Sequence, residues 1–76
     1  MASLNSLALL ACVEGDSERA AELSEESLSL SRQMGDKGAV ARSLNTLGRV
    51  AYCRDDRRTA ASLHAESLTI FRRLGE

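Results

Sequence analysis

The chain has no proline and no tryptophan, and its aromatics are a single tyrosine and a single phenylalanine. So few rings argue against a stacking platform for single-stranded nucleic acids. A net charge of −1 supplies no overall basic field for a phosphate backbone either. Long hydrophobic runs are missing too. The stretch Leu7 to Val13 is far short of the roughly 20 apolar residues a membrane helix needs. No Lys or Arg precedes it before Arg19, and its counterpart Leu47 to Cys53 lies in mid-chain, so it reads as a helix rather than a targeting signal. These absences lead us to expect a cytoplasmic protein with no membrane contact. The two cysteines, Cys12 and Cys53, are too few for a disulfide framework or a recognisable metal-ligand set. In a cytosolic chain the expectation is free, buried thiols.

What is present is written twice. "SLNSL" at Ser3 to Leu7 returns as "SLNTL" at Ser43 to Leu47, and without a gap residues 3 to 36 pair with 43 to 76. Of those 34 pairs, 14 are identical. A fixed period of about 20 to 50 residues marks a repeat architecture. We divide the chain into one domain, residues 1–76, with a first unit at 1–36 and a second at 37–76.

Strict apolar–polar alternation is absent, whereas apolar residues recur at helical spacing. Val40, Leu44, Leu47, Val50 and Ala51 share one face, and Leu4, Leu7, Leu10 and Ala11 repeat it. A second stretch in each unit carries Ala20, Leu23, Ser27, Leu30 and Met34, then Ala60, Leu63, Ser67, Ile70 and Leu74. Gly15-Asp16, Gly35-Asp36 and Asp55-Asp56 punctuate the stretches, the Asp that ends each break placed to cap the next helix. The pattern predicts four helices near residues 2–13, 17–34, 37–53 and 57–74, antiparallel in sequence because the turns are short. Ala20, Gly48 and Ala60, with Ser27 and Ser67, are the expected points of close helix crossing.

These residues carry a resemblance to the tetratricopeptide repeat family, in its longer bacterial form of about forty residues. "LNTLGRVAY", Ala60 and "ESLTIFRRLGE" carry it in the second unit, and Leu4, Leu7, Ala20 and "ESLSLSRQMGD" in the first. The chain departs from the family pattern at Ala8, where glycine is usual, and at Ser27 and Ser67, where alanine is usual. The resemblance implies an all-α superhelix of helix-turn-helix units, a concave binding face, and an adaptor role without catalysis or cofactor.

On that face the resemblance sets two stripes side by side. Arg42, Asn45, Arg49 and Tyr52 form one, and Ala2, Asn5, Leu9 and Cys12, with Val13 beside them, form the other. Guanidiniums and amides beside an apolar strip suit a carboxylate-bearing peptide. Catalysis has little support: His64, the lone histidine, has no paired carboxylate and reads as an interhelical packing residue.

Two repeats are fewer than the three or so that such arrays use for stability, so the chain reads as a piece of a longer array. The last helix is apolar over a wide arc, and Phe71 stands where the first unit has Ser31. We therefore expect self-association through Leu63, Leu68, Phe71 and Leu74. Charge is split as well: residues 1–36 carry seven acids and two bases, residues 37–76 four acids and eight bases. Such a molecule has unlike ends. The alternative function from another class is single-stranded RNA binding by the basic second unit.

Overall fold

The computed structural model describes residues 4–75, which form four helices: α1 Leu4–Val13, α2 Ser17–Met34, α3 Lys37–Cys53 and α4 Arg57–Leu74. The expected first residues of α1, Ala2 among them, lie outside the described part. Each helix packs on the next, α1 also touches α3, and α4 touches α3 alone. This is the all-α, helix-turn-helix solenoid that the duplication implied, 37 × 29 × 17 Å in extent.

Each turn is set by local chemistry. Asp16, Asp36 and Asp56 accept through Oδ1 from the amides of Arg19, Ala39 and Thr59, at 3.2, 3.1 and 3.2 Å. Each bond satisfies one of the orphan donors of a helix start. The Thr59 hydroxyl, and after it the Thr59 amide, hold the Asp56 carboxyl below its ordinary 3.8. Its contribution to stability is therefore present above that pH and is lost as pH falls through the lowered value.

Left-handed residues reverse the chain at the same places. Gly15 has φ 84°, and its counterpart Asp55 has φ 62°. A side chain in this region is strained, although Asp tolerates it better than most. Asp55 also meets Arg57 at 3.8 Å, but both side chains are well exposed, so the pair contributes little. Asp55→Gly is expected to raise stability by about 0.5 kcal/mol, the relief of strain exceeding the entropy glycine adds to the unfolded chain. Urea denaturation measures it, and a loss of stability would show that the ion pair or the entropy outweighs the strain.

The core is built from small residues. Its buried apolar members are Ala8, Ala11, Ala20, Ala41, Ala51 and Ala60, with Leu44 and Val50 the larger ones. Hydroxyls fill the rest. Ser24 donates to the Ala20 carbonyl at 2.8 Å, Ser31 to Ser27 at 2.8 Å and Thr46 to Arg42 at 3.1 Å, all within their own helices. Three hydroxyl contacts cross between helices among the described residues: Ser67 donates to the Ala41 carbonyl at 2.7 Å, and the Ser43 hydroxyl meets those of Ser27 and Ser31 at 2.9 and 3.4 Å. Serine where the family has alanine thus keeps the crossing close and adds a satisfied bond.

Leucines at helical spacing were expected to share this core, yet Leu7, Leu10, Leu30, Met34 and Leu74 are exposed. Helices that cross on alanine and serine bring their backbones together, so larger side chains at the flanks of the contact are left at the rim.

The cysteines overturn an expectation. Cys12 and Cys53 are bonded to each other, with 6.5 Å between their Cα atoms, and no described cysteine is free. Nor is the pair buried, since Cys53 is exposed and Cys12 half-buried. Under the forty-residue shift Cys12 aligns with Tyr52 rather than Cys53. The repeat therefore gave no hint that the two are neighbours. They meet because α1 and α3 run side by side in the same direction, and adjacent parallel helices bring together residues staggered by one position.

Candidate protein-interaction groove

The bridge sits in a groove where α1, α3 and α4 converge. This groove, of about 320 Å³, is lined by Leu9, Cys12 and Val13 from α1, Arg49, Tyr52 and Cys53 from α3, and His64 from α4. Four residues expected on the concave face, Leu9, Val13, Arg49 and Tyr52, come together here. Asn5, Arg42 and Asn45 do not line it. Arg42 lies at the other end of α3, and a Cβ added at Gly38 would sit 3.6 Å from one of its guanidinium nitrogens. Asn45 is engaged by His64, whose Nδ1 lies 2.7 Å from its Oδ1. Because Asn45 Oδ1 is an acceptor, Nδ1 donates.

His64 was read from sequence as a packing residue, and its ring does lie against α3. A Cβ built on Gly48 would come within 2.8 Å of His64 Nε2. Its role as part of the groove wall was missed. The signal lay in the duplication, since the first unit has Ala8 and Ser24 where the second has Gly48 and His64. The larger residue on α4 faces the smaller one on α3, as required where two helices cross closely.

The same comparison explains an orphan. Asn5 is the counterpart of Asn45, and its Oδ1 is buried without a hydrogen-bond partner. Asn45 has His64 to donate to it, whereas Ser24 is too short to cross and bonds its own helix backbone. An unmet buried carbonyl costs free energy, so the first unit is less well satisfied here than the second.

Electrostatically the groove is cationic at one edge and apolar on its floor. Arg49 lies on the wall, and the Arg57 guanidinium stands 5.9 Å from the centroid of the Tyr52 ring. Val13 is 85% exposed. Among the described residues no group of His, Cys, Asp and Glu is arranged to hold a metal ion, and no helix is long and apolar enough to cross a membrane.

The residues expected to mediate self-association divide. Leu68 and Phe71 are exposed on α4. Leu63 is half-buried and faces a separate groove with Leu47, Val50 and Ala21. Leu74 lines a third with Lys37, Val40, Ile70 and Arg73.

Stacked helical hairpins with close small-residue crossings and a one-sided groove define a helical-repeat solenoid. A tetratricopeptide repeat family model matches residues 1–73, and the chain belongs to that family. Comparisons with curated proteins and with solved structures returned no match. Domains of this family are in general protein–protein interaction modules and typically non-catalytic, so protein partners are the class of ligand to consider.

Proposed function

We propose that the chain is an interaction scaffold: its concave groove takes an extended peptide segment of a partner protein, and its outer helix faces join it to further units by repeat stacking. The forty-residue spacing supports the longer bacterial form of the repeat. The observation that carries the peptide reading is the juxtaposition of an apolar floor, Leu9 and Val13, with Arg49 in one groove. A strand of peptide brings what each lacks. An acidic side chain pairs with Arg49, and an aliphatic one rests on Leu9 and Val13. The cytoplasmic placement belongs to this proposal. Thiol systems there keep cysteines reduced, so the partly exposed Cys12–Cys53 bridge is a state the chain enters on oxidation.

A random twelve-residue peptide library displayed on phage tests the groove. Selected peptides are expected to be enriched in an acidic residue near aliphatic ones. Their binding, measured by fluorescence anisotropy, should weaken at least about tenfold in Arg49→Glu and severalfold in Val13→Ser, in line with the loss of a charge-assisted bond and of apolar contact. Peptides that bind both variants as they bind the original chain would place the ligand elsewhere.

A further inference from the structure

The molecule contains its own example of how one unit seats on another. In the middle joint α3 lies on α2, and the residues it covers can be compared, position by position, with their duplicates on the outer helices. Ser31 is 5% exposed beneath α3, while its duplicate Phe71 on α4 is 41% exposed. Ala21 and Leu28 are half-buried, while Ala61 and Leu68 are exposed. The seated side shows the same contrast. Val50 of α3 is 2% exposed, whereas its duplicate Leu10 on α1 is 55% exposed, and Leu7 is more open than Leu47. Both halves of the joint are thus displayed again, one on α4 and the other on α1, with nothing among the described residues upon either.

We propose that a second copy of this chain seats its α1 on the open face of α4, in the register that α3 takes on α2, so that copies join head to tail. The inference rests on the stacking half of the function proposed above and specifies its partner surface.

Charge supports this pairing over α4 against α4. At the end of the middle joint, Arg54 follows α3 and Glu18 begins α2. Their duplicates are Glu14, which follows α1, and Arg58, which begins α4. The signs are exchanged but remain opposite, so α1 of one copy meets α4 of the next with Glu14 near Arg58. Two α4 helices face to face would instead bring together the basic residues Arg57, Arg58, Arg72 and Arg73.

Phe71 distinguishes the outer joint. Where Ser31 and Ser27 let Ser43 approach within hydrogen-bonding range, Phe71 holds the incoming helix farther off and offers an aromatic anchor instead. The contact is heterologous, so it propagates as an open row or closes only if the rotation allows.

Two surface variants, Leu10→Lys and Phe71→Lys, test it by sedimentation velocity at several concentrations, with circular dichroism confirming the helices. If Phe71→Lys loses its helices, Leu68→Lys takes its place. The original chain is expected to grow in mass with concentration, and less so at high salt. Each variant alone should remain at the mass of one chain. Their equimolar mixture should form a species of twice that mass, since the free α4 of one fits the free α1 of the other. Leu10→Lys associating by itself like the original would overturn the head-to-tail arrangement while leaving self-association through α4 intact. An original chain that stays monomeric throughout would overturn both.

Discussion

Reducing the Cys12–Cys53 bridge is expected to lower the midpoint of thermal unfolding by about 20 °C. The bridge closes a loop whose ends are 41 residues apart. Constraining the unfolded chain over that length is worth about 4 kcal/mol in the loop-entropy description. In a domain this small, each kcal/mol moves the midpoint by about 4–8 °C. The dependence is large because the rest of the fold is thin. Its buried apolar residues are mostly alanines, so little hydrophobic area holds α1 in place. α1 is also the shortest helix, ten residues, and packs on α2 and α3 from one side only. Calorimetry with and without a reducing agent measures the effect, and Cys12→Ser/Cys53→Ser should reproduce the reduced value. Hydrogen exchange should show the loss first in α1, as expected of an end element opening locally. An unchanged midpoint would mean that packing alone fixes α1.

Gly48→Ala is expected to destabilise the chain by about 1–2 kcal/mol, and to become stabilising by about 1 kcal/mol once His64 is replaced by Ser. Alanine is the better helix former by about 1 kcal/mol. Its methyl, however, would lie 2.8, 2.9 and 3.0 Å from three atoms of the His64 ring. The ring cannot yield without leaving Asn45, to which it is held at 2.7 Å. Forcing extra volume into such a contact costs about 1–3 kcal/mol. The double variant Gly48→Ala/His64→Ser recreates the pair Ala8 and Ser24, both fully buried in the first unit. A double-mutant cycle in urea reads the coupling directly. Additive effects would mean that the ring swings aside freely and that the two positions are independent.

These two contacts show where sequence reasoning reaches and where it stops. The helices and turns were legible because their causes are local: an Asp accepting from the amide three residues on, a left-handed residue before it, and apolar positions at helical spacing. Duplication then fixed the order of packing. The disulfide was not legible, because the pairing depends on the stagger between two parallel helices that are distant in sequence. Asn45 and Asn5 looked equivalent along their helices. Only the opposite helix, His64 in one unit and Ser24 in the other, makes one satisfied and the other unmet. The exposed leucines follow the same rule, since periodicity tells which face is apolar but not whether anything lies against it.

The proposed stacking requires those bare faces to be contact surfaces. The most direct measurement is a dilution series of amide spectra from isotopically labelled chain. Shifts that move with concentration should map to Leu7 and Leu10 on α1 and to Leu68 and Phe71 on α4, while Ser43 and Val50 in the middle joint stay fixed. Spectra that do not change on dilution, or changes confined to α4, would contradict it.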